Sequence, residues 1–206
     1  RGLGDVYKRQ AQMWLMDPRP NLTSITEMVE RGFELSEASN TPVFYMMRIR
    51  GCHVTGEFVA KDNVAPAFNN QAPVTPQREP EKIILPPYVY EQERKKIAQR
   101  LPAAIKFIRE QKLNEHFPGR YGSLGIITCG GSYNTVIRAL QRQGLADVYG
   151  NAEVPIYCMN VAYPLVPDEL VEFCVGKEQV LVLEEGQPEY ICLLYTSDAA
   201  DEVVSV

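Results

Sequence analysis

The rhythm of apolar positions changes once between Asn21 and Met47. Ile25, Met28, Val29 and Phe33 recur at helical spacing, and Ser24 with Glu27 has the form of a capping box, so a helix with one apolar face is expected. Asn40-Thr41-Pro42 stops it, because a residue before proline avoids the helical region. Val43 to Met47 is then a continuous apolar run after a turn signal, the pattern of a parallel strand covered on both faces. One helix and one strand cannot close a core. This stretch therefore reads as the tail of an α/β domain whose first part precedes Ala11.

Between Val64 and Pro87, Pro66, Pro73, Pro76, Pro80, Pro86 and Pro87 break any period, so an extended connector is expected. Tyr90 to Arg100 and Pro102 to Leu113 read as two helical stretches, with Pro102 suited to the first turn of the second. Their charged faces read as solvated surface. From Leu124 onward, strand and helix signals alternate with short connections. Leu124 to Thr128 is a buried strand, Gly130-Gly131 a turn, and Ser132 the cap of a helix carrying Tyr133, Val136, Ile137 and Leu140 and ended by Gly144. Val154 to Met159 is a second strand, Pro167 to Gly176 a helix, and Gln179 to Leu183 a third strand. That alternation implies parallel pairing through right-handed crossovers, a small three-layer α/β/α domain.

Composition narrows the class. At 45% hydrophobic and 23% charged residues the chain has ample material for a core, which sets disorder aside. No run approaches the roughly 20 apolar residues of a membrane span, and no signal pattern opens the chain, so a cytoplasmic protein without membrane contact is expected. With 21 Lys+Arg against 26 Asp+Glu, scattered rather than clustered, there is little to attract a nucleic-acid backbone. Residues 1–10 (RGLGDVYKRQ) and the stretch from Cys192 (CLLYTSDAADE) resemble translations of the two adapters of transposase-prepared sequencing libraries, so 1–10 and 192–206 are set aside as non-native. The acidic balance survives their removal. Cys52, Cys129, Cys158 and Cys174 show no CxxC and no ladder of spacings, so no metal or cluster site is expected, and they read as small buried hydrophobes.

Three places carry candidate chemistry. Gly130, Gly131 and Ser132 join a strand to a helix N-terminus, where free N–H groups favour an anion; without GxGxxG, GxxxxGK[ST] or GxSxG around it, a structural turn competes with a phosphate site and a nucleophilic Ser132 is disfavoured. Arg48, Arg50, Cys52 and His53 follow an apolar strand, the end at which α/β sheets gather ligands, so Arg50 and His53 are candidates to order a boundary or touch a cofactor. Glu184 and Glu185 follow the third strand and read as a solvated strand end that helps an interface, with an acid/base or magnesium role the alternative. His116 reads as a surface-loop residue.

The blocks GFELSEASNTPVFYMMRIRGCHVTGEF (Gly32 to Phe58), YGSLGIITCGGSYNTVIRAL (Tyr121 to Leu140) and VLVLEEGQPEYI (Val180 to Ile191), in that order around a proline-rich connector, resemble the alpha subunit of the indolepyruvate:ferredoxin oxidoreductases, within the thiamine-diphosphate-dependent 2-oxoacid:ferredoxin oxidoreductase family. The resemblance implies that residues 11–63 end a pyrimidine-binding thiamine domain, 64–120 form the connector with its helices, and 121–191 form a transketolase C-terminal-like domain that supports assembly. It further implies a parent enzyme that decarboxylates aryl 2-oxoacids to acyl-CoA with thiamine diphosphate and Mg2+, passing electrons through [4Fe–4S] clusters to ferredoxin, in an oligomer with a separate or fused beta subunit. The family's activating glutamate, its magnesium and diphosphate motif and its cluster cysteines would lie outside this stretch, so the fragment alone would be catalytically incomplete and bind no cofactor. Another transketolase-like thiamine enzyme, or a non-catalytic anion- or nucleotide-binding α/β module, are the alternatives.

Overall fold

The computed structural model describes residues 13–63 and 85–185; the adapter-like flanks and most of the proline-rich connector lie outside the described residues. The chain runs β1 (Trp14–Met16), α1 (Leu22–Ser39), β2 (Val43–Tyr45), α2 (Ile49–Cys52), α3 (Tyr88–Lys95), a π-wound turn (Lys96–Arg100), α4 (Leu101–Glu110), β3 (Glu115–Phe117), β4 (Leu124–Cys129), a 3-10 turn (Gly130–Ser132), α5 (Tyr133–Arg142), β5 (Ile156–Met159), β6 (Val161–Tyr163), α6 (Pro167–Cys174) and β7 (Gln179–Leu183). It is a mixed α/β fold, as the alternation of signals implies.

Two sheets form. The first has the order β2-β1-β6, with β1 parallel to β2 and antiparallel to β6; the second has the order β3-β5-β4-β7, parallel except for β3. Period-two alternation decides which face each side chain serves. Trp14 and Met16 pack with Met28 and Leu35 of α1 and Ala104 and Ile108 of α4, while Leu15 between them packs with Ile127, Tyr157 and Met159 of the second sheet and Leu170 and Phe173 of α6. On the far side of the second sheet, Ile126, Ile156 and Cys158 meet Tyr133, Val136 and Ile137 of α5. Helices thus cover both faces of the four-stranded sheet, and the three-stranded sheet shares one face with α6.

Several local expectations shift. The N-cap of α1 is Asn21, whose side chain accepts from the Ser24 N–H at 2.8 Å, so the Ser24/Glu27 box is not the cap. The inward face is Met28, Gly32, Leu35 and Ser39, and Phe33 is 73% exposed. The helix is rotated because Gly32 lets it approach the sheet: a Cβ there would stand 3.3 Å from the Met16 sulfur. The buried Trp14 indole also recruits this face, donating to the Ser39 hydroxyl at 2.7 Å. β2 is a half-buried edge strand rather than one covered on both faces. The two helical stretches of the connector run into one another from Tyr88 to Glu110 through the π-wound turn, which ends just before Pro102 in the first turn of α4. His116 lies in β3, opposite Tyr157, and its ring meets Phe173 edge-on at 5.4 Å. Of the cysteines, Cys129 and Cys158 are buried, but Cys52 and Cys174 are exposed.

Candidate functional site

The C-terminal ends of four strands from both sheets converge. Asp17 follows β1, Arg48 lies three residues beyond β2, Gly130 opens the turn after β4, and Glu184 and Glu185 follow β7. The Asp17 carboxylate, only 2% exposed, receives Arg48 Nε on both oxygens at 3.1 Å and Nη2 at 2.9 Å. Arg48 Nη1 then reaches Glu185 Oε2 at 3.3 Å, and the Ser132 hydroxyl stands 3.5 Å from the same oxygen. Burial by itself would lower the Arg48 pKa, but the Asp17 hydrogen bond and charge outweigh it and raise the value. Burial, with Asp17 and Glu184 nearby, pushes the Cys129 thiol up to about 12, so it is a packed hydrophobe and no thiolate nucleophile at neutral pH.

The Gly130–Ser132 turn is occupied by protein. A Cβ on Gly130 would overlap the Asp17 carbonyl oxygen and stand 2.7 Å from the Arg19 nitrogen, and one on Gly131 would meet the Arg48 guanidinium and stand 2.5 Å from Asp17 Oδ1. These glycines admit the β1 loop and the Asp17–Arg48 pair. Asp17 and Glu185 flank the Arg48 guanidinium, so its charge is already engaged by protein carboxylates. Two other candidates lie on α2: His53 is its exposed C-cap residue, and Arg50 falls within it, its side chain outside the described residues. Among the described residues no three His, Cys, Asp or Glu side chains come together as a metal site.

A second polar clamp locks the β1 loop to the other sheet. Arg19 makes a bidentate pair with Glu115, 2.9 Å on each arm, and its guanidinium lies over the rings of Phe117 and Tyr133 at 5.3 and 5.1 Å. Asn160, with no exposed surface, donates to Glu115 Oε2 at 3.0 Å and to the Leu113 carbonyl at 2.9 Å, and accepts from the Arg19 N–H at 2.8 Å. Burial acts to raise the Glu115 pKa, but the Arg19 and Asn160 hydrogen bonds prevail and hold it below the ordinary 4.5. A depressed carboxylate stabilises the fold above its unfolded pKa and loses that contribution as pH falls through its folded value. Glu115→Gln is therefore expected to cost about 1.5–3 kcal/mol at neutral pH. In urea titrations the gap to the parent should narrow in acid below the ordinary glutamate range; a gap independent of pH would contradict the assignment.

The sequence places Arg48 and the two glutamates at strand ends but does not single out Asp17, Arg19, Glu115 and Asn160. The available signal was the apolar triplet Trp14–Met16 followed at once by Asp17-Pro18-Arg19-Pro20, charges held between prolines at a strand end.

No protein-family model matches the chain. Among curated proteins it is 29% identical over 180 residues, 87% of its length, to the indolepyruvate oxidoreductase subunit IorA of Methanothermobacter marburgensis. The chain is similar to the IorA subunits. The corresponding subunit of Methanothermobacter thermautotrophicus is 27% identical over 183 residues. The chain spans 27% and 28% of the length of these two IorA subunits.

Proposed function

We propose that this chain is part of a thiamine-diphosphate-dependent 2-oxoacid:ferredoxin oxidoreductase acting on aryl 2-oxoacids such as indolepyruvate, with CoA as acyl acceptor, ferredoxin as electron acceptor and a beta subunit or fused equivalent as partner. The observation that carries the reading is the similarity to IorA subunits along 87% of the chain. Residues 11–63 are assigned to the end of the pyrimidine-binding domain and 121–191 to the transketolase C-terminal-like domain, with Arg50 and His53 nearest the cofactor. Thiamine diphosphate would supply the electron sink for decarboxylation. The described residues do not fit its diphosphate by themselves: at the strand ends that would receive it Arg48 is already paired with Asp17 and Glu185, so the cofactor is assigned to other parts of the parent. The role of this stretch is then architectural, holding two sheets in register through Asp17–Arg48–Glu185 and Arg19–Glu115–Asn160.

The test has two arms. The isolated chain, supplied with thiamine diphosphate, Mg2+, CoA, ferredoxin and indolepyruvate, is expected to show no ferredoxin reduction. The full-length parent with its partner subunit is expected to reduce ferredoxin only when 2-oxoacid and CoA are both present. Turnover by the isolated chain would refute its incompleteness; a parent that reduces ferredoxin with no 2-oxoacid tested would refute the family reaction.

A further inference from the structure

A cavity of about 310 Å³ opens between the β3 edge of the second sheet, β5 and α6, away from the strand-end cluster. That volume is near the lower end for small-ligand sites, about 300–1,000 Å³. Its lining brings aromatic rings together with carboxylates. Phe173 meets His116 edge-on at 5.4 Å and Tyr157 at 5.7 Å. Phe173 already holds one ammonium, Lys177 Nζ, 4.5 Å from its ring centroid.

Glu169 supplies the charge. Asn114 Nδ2 at 3.0 Å and the Tyr157 hydroxyl at 2.5 Å both donate to its Oε2, and Asn114 is fixed in that orientation because its Oδ1 accepts from the Val161 N–H at 3.1 Å. No hydrogen bond among the described residues reaches Glu169 Oε1, and no described cation pairs with this carboxylate, although Glu172 one turn along is paired with Arg109 at 2.6 Å. Burial, then the Glu169 hydrogen bond, pushes the Tyr157 phenol up, so it stays a donor and adds no charge. A half-buried carboxylate with no ion pair among the described residues, set beside aromatic rings, is a site for a cation; an anion would face Glu169 with Asn114 and Tyr157 already engaged and only the rim Lys112 to meet it.

We propose that this cavity binds a small organic ammonium ion, its charge between the Glu169 carboxylate and the rings of Phe173, Tyr157 and His116. Two ammonium groups oppose it: Lys112, exposed at the rim, and Lys177, already over the Phe173 ring. The probe is choline, compared with its neutral isostere in which the quaternary nitrogen is replaced by carbon. In titrations of the chain followed by NMR, choline is expected to shift the Asn114 side-chain amide and the His116 ring, and to bind at least about tenfold more tightly than the isostere. Glu169→Gln, which can still accept from Tyr157, is expected to weaken choline by about tenfold, and Lys112→Ala, at an exposed position independent of the core, to tighten it. Equal binding of choline and isostere, shifts that bypass Asn114 and His116, an unchanged affinity in Glu169→Gln, or no tightening in Lys112→Ala would each overturn the proposal.

Discussion

Replacing Asp17 with alanine is expected to destabilise the chain by about 3 kcal/mol, because it leaves the largely buried Arg48 guanidinium without its carboxylate. The pair is unusual in its asymmetry: the Asp17 side chain is 2% exposed and the Arg48 side chain 22%, so the carboxylate is fully committed while the guanidinium keeps a narrow outlet toward Glu185. Truncating the arginine side as well removes the stranded charge. The double variant Asp17→Ala/Arg48→Met is accordingly expected to lie closer to the parent than the sum of the single changes, with a coupling of about 1–3 kcal/mol in a double-mutant cycle from urea unfolding. Additive single effects would show that the two groups are neighbours without being energetically joined. Glu185→Ala should cost much less, under about 1 kcal/mol, because its carboxylate is half exposed and solvent screens the contact.

Gly130→Ala carries the second large effect. The methyl group would be driven into the backbone of the β1 loop, at 2.7 Å from the Arg19 nitrogen and 2.8 Å from the Pro18 carbonyl carbon. Backbone cannot rotate out of the way as a side chain can, so relief requires moving the β1 loop, and with it the two clamps. The expected cost is about 3 kcal/mol or more, at the upper end for overpacking. Gly122→Ala is the comparator, since a Cβ there meets nothing within 4 Å; its effect is expected to stay within about 0.5 kcal/mol. Equal midpoints for the two variants in urea would remove the close approach from the account.

The cluster at the strand ends gives the glycines of the turn after β4 a packing reason that needs no phosphate. Both explanations need small residues beside a helix N-terminus. What separates them is the occupant: an anion would need net positive surroundings, whereas here the Arg48 guanidinium is already paired with Asp17 and Glu185. The arrangement joins strands far apart in sequence, Asp17 to Arg48 and Arg48 to Glu185, and so makes the two sheets interdependent.

Legibility in the sequence followed locality. The α6 boundaries and the third strand of the second sheet, Gln179 to Leu183, could be read directly because proline, glycine and apolar runs act within a few residues. So could the parallel pairing of β4 with β5 and β7, which follows from short crossovers. Strands of three residues, β1, β3 and β6, carry too short a pattern to register and exist because neighbouring strands complete their hydrogen bonds. The direction of α1 was set by its sequence, but its rotation was decided by Gly32 against Met16 and by the Trp14–Ser39 hydrogen bond, neither of which any local period contains. Arg48 was visible as a charge at a strand end. Its partner Asp17 was not, because 31 residues separate them and only the parallel pairing of β1 with β2 brings their strand ends side by side. The amino-acid sequence by itself determined the α/β class, the alternation of the longer strands and helices after Leu124 and the likeness to IorA. The tertiary structure alone decided which charges meet, because a buried charge takes its partner from whatever the sheets bring within reach, whatever their distance along the chain.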